Sequence, residues 1–495
     1  MIKHIPILVQ VALLSMAVLI PLLRGNKAAK SKGITVALLF ISSVFLLILI
    51  RDVRDNGAFV YNFGNYESYI GIQYSVNIFS AFMSFFVITL ALIIMIFSTK
   101  DIDHEISRQS ISQYYTLVLI LLFSMVGMIF TNDLFNMYVF MEILSLTSCA
   151  IISVKSKKEN YLAALRYLVL NTIGSLSVLL GIALLYMVSG HLNMSLMGQS
   201  ISLIWQLYPT NILIATGFML VGFAIKAAVF PMHIWLPDAH SNAPTPSSAL
   251  LSSLVVKIYV FAVYKILFDV LGKDIVVGLG IPGVIAVFAA SGMLFGSIFA
   301  IGQKDIKRML AYSSVAQIGY IFLGLSLMTE AGLAAGLFHV VSHGLMKTAL
   351  FLSAGSIIYY RNKRDIRQLD GIGVEMPVTM VVFAIAAMGM IGIPGTNGFM
   401  SKLYLSFAVL GAGQPLLLGV ILLSSYLNAV YYLPIIISAF LKEPKSKNIT
   451  MQVEVLPWPM LLALVTVGIL CLLTGFYPKL VMDIVTQAAK IFLSA

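Results

Sequence analysis

Charged residues are scarce in this sequence of 495 residues. Asp, Glu, Lys and Arg together make up 10% of it, against about a quarter in soluble domains. Apolar residues make up 60%, and runs of about 18 of them or more, each long enough to cross a bilayer core as a helix, recur along nearly the whole length. The composition therefore excludes a soluble globular protein and predicts an all-α polytopic membrane protein.

Cysteine and the common catalytic motifs are almost missing as well. The two cysteines, Cys149 and Cys471, lie inside apolar runs and support neither a disulfide framework nor a metal site. The sequence has no phosphate-binding loop, no Gly-rich dinucleotide motif after a strand, no pair of CxxC motifs and no nucleophile elbow. We therefore expect no catalytic residue, no cofactor and no redox site in the chain, so that it is not an enzyme on its own.

Fourteen apolar segments are long enough to be membrane spans. The first, Ile5 to Leu23, lacks a small-residue cleavage site and resembles the other segments, which favours a retained helix over a signal peptide. We predict spans at about residues 5–23, 34–50, 76–97, 114–131, 133–154, 164–189, 211–231, 246–268, 277–301, 306–327, 331–358, 377–408, 415–440 and 456–477.

Basic residues are distributed unevenly over the predicted loops. The odd-numbered loops hold twenty Lys and Arg residues, among them Arg24, Lys445 and Lys447, and the opposite side holds six. The positive-inside rule therefore places the odd loops in the cytoplasm and both termini outside. The same rule explains the net charge of +11, which consequently does not indicate binding of nucleic acid.

Two predicted spans contain helix breakers. Span 7 is cut by Pro231 and Pro237, and span 12 by "GIPGTNG" at residues 392–398. Proline removes a backbone donor and clashes with the preceding turn, so helices 7 and 12 are predicted to be broken. Because the breaks are five spans apart, spans 4–8 and 9–13 are predicted to form two inverted five-helix repeats. The corresponding regions are residues 1–113 (spans 1–3), 114–270 (first repeat), 271–441 (second repeat) and 442–495 (span 14 and the C-terminal tail).

Few charged groups lie deep inside the predicted spans. The lysines are Lys226, Lys257, Lys265, Lys347 and Lys402, and the single carboxylate is Glu142. A lysine near a helix end usually extends to the lipid headgroups, whereas a charge at mid-membrane is costly and functional by default. Lys265, near the outer end of span 8, is expected to extend to the headgroups. We expect the other four lysines to be functional.

Glu142 and Lys226 are the natural ion pair among these residues. Glu142 is the only deep carboxylate, and Lys226 lies in the broken seventh span. A buried ammonium keeps its proton best when a carboxylate is close, so moving the carboxylate would switch the protonation of the lysine. An ion pair in a low dielectric is therefore a suitable two-state element. The chemistry predicted for the pair is a proton relay.

The segment "HVVSHGLMK" places His339, His343 and Lys347 at positions i, i+4 and i+8. At 3.6 residues per turn these side chains lie near one helix face, over about 12 Å. Two histidines at this spacing can also bind a metal ion, but the usual third ligand and the Glu of an HExxH motif are missing. Proton transfer through the imidazoles is therefore favoured over metal binding.

Four motifs, in the right order, resemble those of the antiporter-like proton-pumping membrane subunits. They are "FNMYVFMEIL", "GFAIKAAVFPMHIWLPDAHSNAPTPSSALLSSLVVKIYVF", "FHVVSHGLMKTALFLSAGS" and "GIPGTNGFMSKLYL". That family includes the large subunits of Mrp-type cation/proton antiporters and the matching subunits of respiratory complex I and of membrane-bound group 4 hydrogenases. The resemblance covers nearly the whole chain.

The resemblance implies fourteen helices, two inverted five-helix repeats and a proton-transfer role for each deep group. Glu142 and Lys226 would be the coupling ion pair and Lys257 the central relay. His339, His343 and Lys347 would connect the half-channels, and Lys402 would be the terminal proton site. Some relatives carry Glu at the position of Lys402, where the lysine resembles the D-type Mrp subunit and several of its complex I and hydrogenase counterparts.

The motif "FNMYVFMEI" and the chain length resemble D-type Mrp subunits and their hydrogenase homologues more than complex I. The resemblance thus implies proton translocation as the D-type subunit of an Mrp Na⁺/H⁺ antiporter in the prokaryotic inner membrane. The expected partners are other membrane subunits and the lipid bilayer, with H⁺ and Na⁺ as transported ions. The alternatives are the proton- or sodium-pumping subunit of a membrane-bound hydrogenase or complex I-like NADH/quinone oxidoreductase, a non-conducting scaffold subunit, and a stand-alone solute transporter.

Overall fold

A computed structural model describes residues 2–23, 25–66, 71–443, 454 and 456–494 of the chain. Three of the twenty basic loop residues, Arg24, Lys445 and Lys447, lie outside the described residues. The described chain is almost entirely helical. Its one two-stranded sheet is an antiparallel hairpin of β1 (Phe59–Asn62) and β2 (Gln73–Val76), with Phe59 opposite Val76.

The helices are numbered in chain order. They are α1 (Ile5–Leu19), α2 (Lys27–Asn56), α3 (Ile78–Glu105), α4 (Ile111–Phe130), α5 (Leu134–Ser153), α6 (Lys158–Ser189), α7 (Met194–Ile204), α8 (Pro209–Lys226), α9 (Trp235–Asn242), α10 (Thr245–Leu250), α11 (Val256–Lys265), α12 (Lys273–Gly278), α13 (Ile281–Ile301), α14 (Ile306–Ser326), α15 (Glu330–Arg361), α16 (Ile372–Glu375), α17 (Pro377–Ile391), α18 (Asn397–Gly411), α19 (Pro415–Leu441), α20 (Trp458–Phe476) and α21 (Lys479–Ser494). Short 3₁₀ turns occupy Ile2–His4, Ile20–Leu22, Phe63–Asn65 and Ile366–Gln368, and π-helical turns occupy Leu251–Val255 and Ile266–Leu271.

Twelve helices of the described chain are long and apolar enough to cross a membrane. They overlap twelve of the fourteen predicted spans. Span 8 corresponds to Thr245–Leu271, where π-helical turns alternate with α10 and α11, and span 12 corresponds to the two halves α17 and α18. The chain is therefore an all-α polytopic membrane protein, as predicted, and the count of fourteen stays a prediction.

The loops meet in two separate groups, one at each end of the helix bundle. At one end, β2 bridges to Thr131, and Asp133 bridges to Asn193. At the other end, Asp305 bridges to Asp365, and Glu105 pairs with Lys155. The first group joins even-numbered loops to one another and the second joins odd-numbered loops. These contacts support the predicted alternation of the chain across the membrane.

The α15 helix is the innermost element of the bundle. The most apolar 18-residue window of this helix is 100% buried, against 33–44% for peripheral helices such as α2, α6 and α19. His339, His343 and Lys347 all lie on α15. The polar side chains along this helix are therefore surrounded by protein on all sides and do not face lipid.

The predicted break in span 7 is confirmed. The α8 helix ends at Lys226, and α9 does not begin until Trp235. Pro231 lies between them and has no N–H to continue the α-helical ladder. The indole N–H of Trp235 donates to the carbonyl of Ile225 at 2.7 Å, which ties the start of α9 to the end of α8 across the break.

The predicted break in span 12 is also confirmed. The α17 helix ends at Ile391, and the next residue, Gly392, has φ +95°, in the left-handed region that glycine tolerates best. The α18 helix then begins at Asn397, where the hydroxyl of Thr396 caps it by accepting the N–H of Phe399 at 3.3 Å. Local residue chemistry thus stops one half-helix and starts the next.

The two halves of span 12 touch backbone to backbone at Gly398. A Cβ atom at this position would lie 1.8 Å from the carbonyl oxygen of Gly389. We expect Gly398→Ala to destabilise the protein by about 3 kcal/mol, because overpacking forces the backbone to shift. Thermal unfolding of the purified complex, followed by loss of the folded fraction, measures this effect. Gly411→Ala is the matched control, since no atom lies within 4 Å of its added Cβ. Equal stability of the two variants would contradict the packing described here.

Several elements were not predicted from the sequence. Among them are the β1–β2 hairpin, the short helices α7 and α16, and the amphipathic helix α21, which was predicted only as a C-terminal tail. The buried side of α21 carries Val481, Val485, Ala488, Ala489 and Phe492, a helical spacing that turns one face to the bundle. The division of the chain into two inverted repeats remains a prediction, supported by the two breaks.

Candidate functional site

Lys226 and Glu142 lie together, as the sequence predicted. Lys226 is the last residue of α8 and has no exposed side-chain surface, while Glu142, on α5, is 31% exposed. The Lys226 Nζ and Glu142 Oε1 atoms are 3.7 Å apart. The ammonium is therefore enclosed in protein, whereas the carboxylate reaches the outer surface of the bundle.

Hydroxyl groups contact both members of the pair. The Lys226 ammonium donates to Ser145 Oγ at 2.7 Å, which is closer than Glu142, and the Ser175 hydroxyl donates to Glu142. The hydroxyl of Tyr259 is 3.2 Å from the same Ser145 oxygen. Because a serine can accept and donate, Ser145 offers Lys226 a partner when the carboxylate moves away. The contact is compatible with the predicted two-state behaviour of the pair.

Lys257 and Lys347 belong to one hydrogen-bonded cluster. The Lys257 ammonium donates to the carbonyl of Ser252 in the first π-helical segment. The hydroxyls of Ser252 and Ser314 are 2.9 Å apart, and the Ser314 hydroxyl bonds to the carbonyl of Leu310 at 3.1 Å. The Lys347 ammonium donates to that same carbonyl at 2.6 Å. Neutral hydroxyls and carbonyls therefore link two buried ammonium groups.

His339 and His343 stack along α15. Their ring centroids are 6.0 Å apart, and His339 Nδ1 is 2.8 Å from the hydroxyl of Ser401. Among the described residues, neither ring nitrogen of His343 has a hydrogen-bond partner. Buried polar atoms are rarely left unpaired, so water is the expected partner at this point.

A metal site at the two histidines is not supported. The described residues contain no group of three His, Cys, Asp or Glu side chains that could hold a metal ion. Lys257 and Lys347 instead interact electrostatically with His343. Three titratable groups of the same sign in one cluster disfavour a bound cation and suit the transfer of a proton.

Lys402, on α18, contacts the residues at the break in span 12. Its ammonium donates to the carbonyls of Met390 and Ile391 at 2.8 and 3.0 Å, which lie at the end of α17 where the helical N–H partners stop. It also donates to Ser425 at 3.0 Å. Both breaks thus place a lysine beside free backbone carbonyls or polar side chains.

Tyr320 stands between Lys402 and the histidines. The Lys402 ammonium lies 4.8 Å from the centroid of its ring, and the His339 ring is 5.3 Å from the same centroid. The predicted proton-transfer residues therefore form three neighbouring clusters, which contain Glu142 with Lys226, Lys257 with Lys347, and His339 with Lys402, and His343 stacks beside the third.

The expectation for Lys265 was wrong. Lys265 was expected to extend to the headgroups, but it is only 4% exposed, and its ammonium donates to the carbonyl of Thr131. The helix does not end near Lys265, because π-helical turns continue it to Leu271. Distance from a predicted helix end was therefore a poor measure of burial at this position.

Two buried charged groups were also assigned to loops. Lys307 is 1% exposed and donates to the carbonyl of Ala243 at 2.6 Å. Asp101 is buried because α3 continues beyond its predicted end to Glu105, so Glu142 is not the only deep carboxylate. An i, i+4 spacing of Asp101 and Glu105 was the only signal in the sequence that these acids share a helix face.

A polytopic helical bundle with broken helices that buries six lysines and four histidines among the described residues has the architecture of ion-transporting membrane subunits. The comparison with known families agrees. The chain belongs to the family described as NADH:quinone oxidoreductase/Mrp antiporter, transmembrane, which matches residues 131–428.

Known relatives come from two kinds of complex. The chain is 38% identical to the N-type subunit of the NADH-quinone oxidoreductase of Desulforudis audaxviator over 389 residues, 76% of each chain. It is 28% identical to the D-type subunit of the Na⁺/H⁺ antiporter of Alkalihalophilus pseudofirmus over 92% of this chain and 90% of that one. It also superposes on a chain of the Mrp complex from Dietzia sp. with a TM-score of 0.90 and 26% identity, over 99% of this chain and 97% of the other.

These matches make the chain an antiporter-like membrane subunit of the kind that works in multisubunit Mrp and complex I-like assemblies. Its relatives are ion-transport subunits of antiporter or respiratory complexes, and no catalytic role of its own is indicated.

Proposed function

We propose that the chain conducts protons as the D-type subunit of an Mrp Na⁺/H⁺ antiporter. The observation that carries this proposal is the series of buried lysines and histidines along the interior of the bundle. A mid-membrane ammonium is costly and persists where its proton is used. The antiporter assignment is supported by the D-type relative from Alkalihalophilus pseudofirmus, which matches over 92% of this chain.

The proposed path runs from Lys226 through Lys257 and His343 with Lys347 to Lys402. Glu142 gates the path, because the ammonium of Lys226 already has a second partner in Ser145 at 2.7 Å. When the carboxylate is near, Lys226 holds its proton. When it moves away, the desolvated ammonium gives its proton to the next group. His339 connects His343 to the cluster of Lys402 through the ring of Tyr320.

We also propose that the chain lies in the prokaryotic inner membrane, with both termini on the extracytoplasmic side. The separation of even and odd loops to opposite ends of the bundle supports this topology. A reporter enzyme that is active only outside the cytoplasm, fused to the C-terminus, should be active. An inactive reporter on a fully expressed fusion would reverse the orientation.

A redox-driven complex is the second candidate. The observation that favours it is the 38% identity to the N-type subunit of an NADH-quinone oxidoreductase, which is higher than the 28% identity to the antiporter relative. In this candidate the proton path is the same, but partner subunits with electron carriers drive it. The chain would then pump protons or sodium ions when those partners are reduced.

Purification of the tagged protein from its native membrane in mild detergent, followed by mass spectrometry of the copurified chains, separates the two candidates. Small hydrophobic antiporter subunits alone are the expected result. Iron–sulfur subunits with a nickel- or NADH-binding partner would overturn the antiporter assignment and establish the redox-driven complex.

A further inference from the structure

The proposed path makes no use of Lys265, although this lysine is as well buried as the others. Its ammonium donates to the carbonyl of Thr131 at the end of α4 and lies 5.9 Å from the ring centroid of Phe261. It also interacts electrostatically with Asp269, one turn further along the same helix. A buried ammonium and a carboxylate therefore lie one helical turn apart on the same helix.

A polar cavity of about 710 Å³ opens next to this pair. It lies at the end of the bundle that carries the β1–β2 hairpin, and Asp269 and Asn132 are part of its wall. Asn132 directly follows Thr131, whose carbonyl accepts from Lys265. The polar side chains that line the cavity include Ser75, Asn77, Asn132, Ser195, Gln199 and Ser202. Solution on the predicted outer side therefore has a polar route to Asp269.

The inner side of the pair faces the proton path. Lys257 precedes Lys265 by eight residues, about 12 Å along the helix axis, and Tyr264 lies near the same helix face as Lys257. The Tyr264 hydroxyl is buried and has no hydrogen-bond partner in the described part of the chain. It points at Gly336 of α15, where an added Cβ would lie 2.9 Å from it. Gly336 is one helical turn before His339.

We propose that Lys265, Asp269 and this cavity form an outer port, through which Lys257 exchanges protons with the extracytoplasmic solution. The inference rests on the proposed proton-conducting function and adds a second opening to the path that ends at Lys402. In the outward step, the Lys257 ammonium gives a proton, through water beside the unpaired Tyr264 hydroxyl, to the neutral Lys265 amine. Lys265 then gives its own proton to the Asp269 carboxylate, which releases it to water. The charged groups near the port are Lys257, Lys265, Asp269, Lys273 and Asp274.

Access to the port is tested without any transport measurement. In a chain with Cys149→Ser and Cys471→Ser, we place a single cysteine by Asp269→Cys and add a charged, membrane-impermeant thiol reagent to intact cells. Ser326→Cys is the control for a buried position at the same end of the bundle, because Ser326 is 6% exposed and does not line the cavity. Modification of the Asp269 variant from outside, and not of the control, is expected. Protection of the Asp269 variant, or its modification only from the cytoplasmic side, would overturn the port.

Proton exchange at Lys265 is tested by two substitutions in the complete complex. Lys265→Arg keeps the charge and can donate to Thr131, but arginine does not release its proton. Lys265→Met removes the charge altogether. We expect both variants to slow transport by about tenfold, with Lys363→Met, in a loop at the opposite end of the bundle, as the control of unchanged rate. Wild-type transport by assembled Lys265→Arg would show a structural ion pair and overturn the proposal.

The port and the proposed function fail in different ways. If Lys226→Met transports normally, the proton-conducting function itself is wrong. If Lys226→Met is inactive while both Lys265 variants transport normally, only the port is wrong. The labelling result adds a readout that neither transport outcome affects.

Discussion

Lys226→Met should reduce coupled transport to background, a loss of about tenfold or more. Methionine fills nearly the same volume without a charge, so the apolar surroundings of this fully buried side chain remain packed. The substitution removes the one group that both Glu142 and Ser145 contact in the first cluster. A loss of transport with normal assembly therefore isolates the proton-transfer role from folding.

Glu142→Gln should have a similar effect for the opposite reason. The amide can still accept the hydroxyl of Ser175, but it no longer attracts the ammonium. Because the two residues act as one unit, the double variant should be no worse than either single variant. Transport is measured in inverted membrane vesicles as dye-reported proton movement on addition of Na⁺, or of the electron donor if redox partners are found.

The matched control for this pair is Lys363→Met, the same chemical change in a loop at the predicted cytoplasmic end. It should transport at the wild-type rate. Additive losses in the double variant would show that Glu142 and Lys226 act separately. Wild-type transport by either assembled single variant would remove the pair from the mechanism.

Lys347→Met has the second-largest expected effect. Lys347 is fully buried on the innermost helix, and its ammonium shares the Leu310 carbonyl with Ser314, whose hydroxyl contacts Ser252. Removing the ammonium takes away the group that faces Lys257 across Ser252 and Ser314. We expect transport to fall by about tenfold or more, since Lys257 is the only other described lysine in this cluster and loses the group that takes its proton.

The step of the proposed path at which proton transfer stops in Lys347→Met can be measured. Lys226 lies upstream of it on the proposed path, so proton exchange at Lys226 should continue while net transport stops. A single-turnover measurement of proton uptake by the detergent-solubilised complex should therefore retain part of the wild-type amplitude in Lys347→Met. Lys226→Met should lose that amplitude. Equal amplitudes in the two variants would contradict the proposed order.

The sequence predicted the features that depend on local chemistry. The helix breaks at Pro231 and at the glycines around Pro394 can be predicted without knowing how the helices pack. Proline lacks the backbone N–H that an α-helix needs, and glycine tolerates the left-handed backbone that ends one. The pairing of Glu142 with Lys226 also followed from counting the charges in apolar runs. Because few charged residues lie in apolar runs, few ion pairs between them are possible.

The remainder depends on tertiary packing that the sequence does not display. Ser145 and Ser314 are ordinary serines in apolar helices, and only the fold shows which ammonium or hydroxyl each one meets. Lys265 was misjudged because π-helical turns lengthen its helix and because the aromatic ring of Phe492 on α21 packs over Tyr264 and Phe268. Burial that is caused by a segment distant in the sequence cannot be predicted from the residues next to Lys265.

The most direct test of proton conduction through this chain is proton flux in proteoliposomes that contain the purified complex. Wild-type complex and Lys257→Met are compared under an imposed membrane potential, with Na⁺ and a pH-sensitive dye inside the vesicles, because the proposed transport exchanges H⁺ for Na⁺. Lys257 is the group that every route described here must pass, toward Lys402 or toward Lys265. Our account predicts rapid acidification with the wild type and none above the leak of empty vesicles with Lys257→Met. Equal acidification by both complexes would contradict it.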